Sequence, residues 1–334
     1  MKKNLIIASV VIFALVVGAI LVRKLDGSKE KIDSHVIEVG FLPVTCHLTC
    51  PVTDFATQTS KKYHFASKRF TDFPTVAESF KTGKLKATFF VAPLAMKLVE
   101  QGVPAKIVYL GHRDGSTVMV RKDDKAQSLK DLQGRRFAIP SRYSNQHLVI
   151  RKLMKDQNIP AESMEFVEMA PPDMPGALAS KAIDAYFVGE PHAARAETNG
   201  TGRVLYHAKD IWPKFISCVL VVSQKLIDEQ PEVVADLVRG IAESGEWAEV
   251  NRDKAAKLVA PYFKQDEKLI DYVLHQPPDR VSYKGLAPTN EEMENIHAMA
   301  IEVGILTKPM KVEDYLDRQF LPKELLPNEN LEKL

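Results

Sequence analysis

The chain has 334 residues, 45% of them hydrophobic, and its 45 Lys and Arg nearly balance 43 Asp and Glu for a formal charge of +2. That apolar content supports a sizeable core, excludes a disordered chain and, at roughly 100–200 residues per domain, suggests two lobes. The absence of a basic block, an aromatic-basic stripe or an acidic tail sets nucleic acid aside as a partner.

Lys2-Lys3-Asn4 precedes an unbroken apolar run over 5–22. As a helix it would span about 27 Å, close to the roughly 30 Å hydrocarbon core of a bilayer. It passes directly into Val22-Arg23-Lys24-Leu25 without a small-x-small cleavage site, and no cysteine follows closely for lipidation. A signal-anchor helix and a polar tether are therefore expected over 1–35, with a cleaved signal peptide as the alternative. Either would place the remainder in the periplasm or on the extracytoplasmic face of the cytoplasmic membrane. Arg23 and Lys24 nearly balance Lys2 and Lys3, so charge alone orients the anchor weakly.

Beyond the tether, short apolar runs alternate with helical patterns. Strands are expected over 36–41, 64–70, 87–92, 106–110 and 117–121, with a helix after Pro51 and others over 75–82 and 94–101, the last opened by Pro93 and ended by Gly102. Lys122-Asp123-Asp124-Lys125 is polar enough for a crossover between lobes. A second series then begins: Ser128 caps a short helix, 136–139 is a strand, and Ser144 or Asn145 caps a helix to about 157 with Leu148, Val149, Leu153 and Met154 at helical spacing. Strand 164–169, helix 174–182 and strand 185–188 follow, the last ending at Gly189-Glu190-Pro191-His192. A strand over 218–222 and helices over 231–250, 254–263, 268–276 and 290–304 complete the chain. This is an α/β protein, expected as lobe one over 36–122, lobe two over 123–217, and completion of lobe one with C-terminal helices over 218–334.

In open α/β sheets ligands bind beyond the carboxyl ends of the strands, beside helix N-termini. The post-strand loops here carry Thr45, Cys46, His47, Pro93, His112, Ser141, Tyr143, Gln146, His147, Glu190 and His192. Helix N-termini and imidazoles together suit a small anion or a polar planar solute, while Tyr143 or Tyr186 would favour a heterocycle. Glu190 also suits a plain capping role. No Gly-x-Ser-x-Gly, His-Glu-x-x-His, Gly-rich phosphate loop or internal repeat is present, so catalysis, a cofactor and an enzyme role are not expected.

Cys46 and Cys50 flank His47. They could form a disulfide, bind a soft metal with His47, or stay free, the disulfide and the free thiols being the simpler outcomes. Cys218, beside Val219 to Val222, reads as buried strand.

The segments Ser128-Leu129-Lys130-Asp131-Leu132-Gln133-Gly134-Arg135-Arg136-Phe137-Ala138-Ile139-Pro140, Asn145-Gln146-His147-Leu148-Val149-Ile150-Arg151 and Ala182-Ile183-Asp184-Ala185-Tyr186-Phe187-Val188-Gly189-Glu190-Pro191 resemble the nitrate, sulfonate and taurine periplasmic receptors of ABC transporters. The resemblance covers roughly 36–265. It implies a two-lobed periplasmic binding protein of type II, in a class that also holds bicarbonate and thiamine-precursor receptors. It further implies a cleft lined by Gln146 and His147 on the long helix and by Glu190 and His192 in the Gly-Glu-Pro loop, an ABC permease as partner, and closure of the lobes about a hinge as the mechanism. His192 stands where those anion receptors tend to carry an aromatic residue. Alternative outcomes are a heterocycle receptor and a tethered ligand or metal sensor. Fungal pyrimidine synthases share the fold, but their run of adjacent cysteines is absent here.

Overall fold

The computed structural model describes residues 35–326 and 328–334. By its internal contacts the chain resolves into one unit ending at Val36 and a second, Ile37–Leu334, to which the architecture below belongs. The apolar run expected to anchor the chain over 5–22 lies outside the described residues. Among the described residues no helix is long and apolar enough to cross a membrane.

In chain order the elements are β1 (Val36–Phe41), a 3-10 turn (Thr45–His47), α1 (Thr49–Thr57), β2 (His64–Arg69), α2 (Phe73–Lys81), β3 (Ala87–Val91), α3 (Ala92–Glu100), β4 (Ala105–Leu110), β5 (Arg113–Asp114) and β6 (Ser116–Arg121). There follow a 3-10 turn (Leu129–Leu132), β7 (Arg136–Ile139), α4 (Asn145–Asp156), β8 (Glu165–Glu168), α5 (Met174–Ala179), β9 (Ala185–Gly189), α6 (His192–Thr198), β10 (Gly202–His207) and α7 (Ala208–Ile211). The chain closes with β11 (Cys218–Ser223), α8 (Gln224–Glu229), α9 (Pro231–Val250), α10 (Arg252–Phe263), α11 (Glu267–His275), β12 (Val281–Ser282), α12 (Asn290–Glu302), α13 (Val312–Tyr315) and α14 (Glu329–Glu332).

Local chemistry sets the element ends. Asp72 accepts from Thr75 N–H at 2.8 Å to start α2, and Ser144 accepts from His147 N–H at 3.1 Å to start α4. The helix expected after Pro51 begins earlier, at Thr49, because proline fits a first turn whose N–H has no helical partner.

Two five-stranded mixed sheets result, ordered β2-β1-β3-β11-β4 and β10-β6-β9-β7-β8. In the first, β1 runs parallel to β3 while β11 runs antiparallel to β3 and β4, setting Leu220 opposite Phe89 and Tyr109. In the second, β6 is antiparallel to β9 and β10, and β7 is parallel to β8 and β9. Strands β3 and β9 are buried along their whole length, which is why they read as continuous apolar runs. The larger core joins Phe41, Phe89, Phe90 and Leu220 to Leu237 and Ile241 of α9 and Phe263 of α10. The second sheet carries a core built on Phe137, Ile150, Phe187 and Phe215, and another on Met119, Met174, Leu178 and Tyr186.

One expectation is corrected. The chain leaves the first sheet between Leu110 and Ser116, not at Lys122-Asp123-Asp124-Lys125, because β6 pairs with β9 and β10. The polar stretch is the turn after β6, where Asp124 is bound by Arg121, Arg135 and Arg203. Strand β10 was not expected: its half-buried residues alternate too weakly to announce an edge strand.

Candidate ligand site where the two sheets meet

Four stretches converge at the carboxyl ends of the strands. The first follows β1, where the turn Thr45–His47 lies against Gly111: a Cβ on Gly111 would stand 2.0 Å from Cys46 O, so only glycine admits this approach. Thr45 N–H donates to Glu190 O at 2.7 Å, and Tyr283 O–H donates to Thr45 O at 2.9 Å. Thr45 Oγ1 is 2.9 Å from His112 Nε2, and His192 Nε2 donates to Pro43 O at 3.0 Å. Thus the β1 loop, the loop before β6 and the Gly-Glu-Pro loop after β9 are hydrogen-bonded to one another. At the start of α4, Gln146 Nε2 donates to Ser116 Oγ and Ser217 Oγ, both at 3.1 Å, and Asn145 Nδ2 donates to Ile216 O.

The polar residues of this junction are all but closed to solvent: Thr45, His47, His112, Asn145 and Glu190 are 0% exposed, and Gln146 2%. Several polar atoms nonetheless have no hydrogen-bond partner among the described residues: His47 Nε2, His112 Nδ1, Asn145 Oδ1, Gln146 Oε1 and His192 Nδ1. A buried polar atom left unpaired costs about 1–3 kcal/mol, so several of them in this one region are a feature that calls for an account.

Two tautomers and one amide orientation fix the sense of three of these atoms. His47 Nδ1 accepts from Leu42 N–H at 2.7 Å, leaving the proton on Nε2 as a free donor. His192 gives its Nε2 proton to Pro43 O, leaving Nδ1 as an acceptor, and Asn145 Oδ1 is an acceptor because its amide nitrogen faces a carbonyl. Burial, reinforced by Arg195, lowers His192 to about 3, while burial also lowers His112. Both rings are neutral near pH 7, so they supply direction and no net positive charge.

Glu190 holds the junction together. Burial raises its carboxyl, against the pull of Arg280, whose Nη1 is 3.6 Å from Glu190 Oε1. Its oxygens accept from Thr117 Oγ1 at 2.9 Å and Ala194 N–H at 2.8 Å. The capping role weighed for Glu190 is therefore present in the geometry.

The remaining candidates make contacts of their own, and His147 Nε2 is likewise buried without a partner among the described residues. His147, lowered to about 4 chiefly by burial, turns its Nδ1 to Arg142 O at 2.8 Å and its ring to Phe166. Tyr143 lies under Lys97, Ser141 Oγ accepts from Tyr143 N–H, and Pro93 is buried in the first turn of α3. Sequence reasoning did not single out Asn145, Ser116, Thr117, Ser217, Tyr283 or Arg280. Ser116 and Ser217 flank the two points where the chain passes between sheets, a positional signal that was available; Tyr283 and Arg280 carried none.

All three cysteines are free and buried, the free-thiol outcome for Cys46 and Cys50, and Cys218 is the buried strand residue expected. Cys50 turns its thiol to Val39 O at 3.6 Å, so neither a Cys46–Cys50 disulfide nor a Cys46, His47, Cys50 metal set forms. Cys46 instead faces Cys218. Burial pushes the Cys46 thiol up, but Cys218, His47 and His112 outweigh it and hold the thiol well below its usual range.

Residues 30–261 match the NMT1-like family. The chain belongs to that family. A protein of Brucella abortus (strain 2308), whose name claims binding and no ligand, is 22% identical to this NMT1-like chain over 253 residues, covering 74% of it and 78% of the relative. The ligand-binding component of an ABC-type import system from Staphylococcus aureus, solved with zinc bound, matches at a TM-score of 0.78 and 26% identity over 86% of this chain and 98% of its own. The periplasmic nitrate-binding protein NrtA from Synechocystis PCC 6803 matches at 0.78 and 13% identity, over 86% and 87%, a likeness of fold. The NMT1-like chain thus has the α/β periplasmic-binding-protein fold expected from its resemblance to nitrate and sulfonate receptors.

Proposed function

We propose that this chain is the extracytoplasmic solute-binding component of an ABC importer, capturing a small polar solute where the two sheets meet and releasing it to a permease. The observation that carries the reading is the buried junction of Thr45, His112, Asn145, Gln146 and His192, with polar atoms unpaired on both sides of it. The import-system neighbours support it at the level of the fold. The two lobes are best drawn with 37–110 and 218–334 around the first sheet and 116–217 around the second. The apolar run over 5–22 would tether the protein beside its permease. Hydrogen bonds such as Thr45 N–H to Glu190 O exist only when the sheets are close, so a solute that completes the junction selects the closed form, and closure is what a permease would read. No covalent step is needed.

An oxyanion of the nitrate, hydrogencarbonate or sulfonate kind is the favoured class. Asn145 Oδ1 and His192 Nδ1 add a preference: two acceptors want a solute that also donates, which among these anions is hydrogencarbonate. The same two acceptors support a donor-bearing heterocycle as the second reading.

The test is a thermal-shift panel on the full chain in detergent with nitrate, hydrogencarbonate, an alkanesulfonate and an aminopyrimidine. A solute at 100 times its dissociation constant adds about 2.7 kcal/mol of stability. A shift with one solute, lost in Gln146→Ala, is expected; no shift with any of the panel would count against the receptor reading.

A further inference from the structure

Cys46 and Cys218 are 172 positions apart in the chain, yet their sulfurs lie 2.7 Å from one another, and each residue is 1% exposed. The turn Thr45–His47 delivers the first and the start of β11 the second. Gly111 aligns both backbones: its N–H donates to Cys218 O at 2.9 Å while its missing side chain leaves room for Cys46 O. We propose that Cys46 and Cys218 form a disulfide that fastens the β1 loop of the site to the strand on which the chain returns to the first sheet.

The competing occupant is a soft cation held by Cys46, His47 and Cys218, whose ligand atoms lie within 4.8 Å of one another. Two features weigh against it. Two thiolates sharing a tetrahedral zinc, each about 2.3 Å from it, stay roughly 3.8 Å apart; these sulfurs are much nearer the ~2.05 Å of a bonded pair. His47, moreover, accepts from Leu42 N–H at Nδ1, so its neutral ring carries the proton on Nε2 and has no lone pair left for a metal.

Oxidation forms the Sγ–Sγ bond and breaks two S–H bonds. By thiol–disulfide exchange the two protons and two electrons pass to a small-molecule or protein disulfide, whose S–S bond breaks to give two thiols. Because the pair is closed to solvent, the oxidant meets it while the chain folds or opens. Cys50 takes no part, its thiol being given to Val39 O. The link would reach the site through Ser217, which adjoins Cys218 and accepts from Gln146. It would make the β1 loop, β11 and the start of α4 one assembly.

The test refolds the full chain in a glutathione redox buffer, quenches with acid and alkylates with iodoacetamide under denaturing conditions, with and without prior reduction, followed by peptide mass mapping. One alkylated cysteine, Cys50, is expected before reduction and three after it, with a single Cys46–Cys218 cross-linked peptide. Reduction should lower the melting temperature by several degrees in the wild type and leave Cys218→Ala unmoved. Three alkylated cysteines before reduction, a Cys46–Cys50 link, or stoichiometric zinc released on denaturation would overturn the proposal. Mapping of the wild type decides the pairing even if the variant fails to fold. A link without any solute shift, or a shift without a link, separates this proposal from the receptor reading.

Discussion

At the scale of the residue, the junction is governed by burial acting on titratable groups. His192 and His147 stand at about 3 and about 4 in the folded chain, against their usual 6.5, and His112 is also lowered, burial being the leading cause in each case. A histidine depressed on folding binds fewer protons folded than unfolded, so its contribution is complete above about pH 6.5 and is lost as pH falls toward the folded value. Acidification from pH 7 to 5 should therefore destabilise the protein by about 2 kcal/mol for each of His192 and His147, read as a falling urea midpoint. His192→Asn should remove its share of that slope. Glu190, raised by burial, works in the opposite sense and grows relatively more favourable as pH falls. Glu190→Ala should cost about 3 kcal/mol, since Arg280, with a side chain 2% exposed, loses one of its two carboxylates and Ala194 N–H loses its acceptor. A midpoint unchanged in that variant would mean Glu197 alone satisfies Arg280.

At the scale of the element, two glycines make opposite predictions. Gly111→Ala would drive a Cβ to 2.0 Å from Cys46 O, a backbone atom that cannot swing away, so the turn Thr45–His47 must move. A loss of several degrees in melting temperature is expected, together with weaker solute binding because Thr45 and His112 separate. Gly176 lies exposed inside α5, with nothing within 4 Å of where its Cβ would stand. Gly176→Ala should stabilise by about 0.5–1 kcal/mol by helix propensity, with binding unchanged. These elements also show how legible the chain was. Strands β3, β9 and β11 and helices α4 and α9 were readable because their apolar patterns are strong and Ser144 and Pro231 mark the helix starts. Edge strand β10 was not, because an edge needs only half its pattern.

At the scale of the whole molecule, Arg280 and Tyr283 bring chain far from the expected loops into the junction. Arg280 lies over the ring of Tyr272 in α11 and binds Glu197 of α6 at 2.8 Å, so the C-terminal helices clasp the Gly-Glu-Pro segment. Opening the junction must break this clasp together with the bonds from Thr45 and His192. Solute addition should therefore reduce the radius of gyration measured by X-ray scattering only where an open form is populated beforehand. Arg280→Ala should enlarge that population and the change on binding; an identical profile in wild type and variant would argue against hinge closure.

The sequence by itself determined the α/β class, nearly every central strand and helix, and the loops from which Thr45, His112, Gln146, Glu190 and His192 come, because those depend on periodicity and on capping within a few residues. Only the tertiary structure decided where the chain crosses between sheets, since strand pairing is not encoded in any one strand. It alone turned His147 Nδ1 to Arg142 O and brought the Cys46 thiol to that of Cys218 while Cys50 faces Val39 O. Contacts across 172 positions leave no local trace, and which imidazole nitrogen remains free depends on the carbonyl or N–H that folding brings to the other.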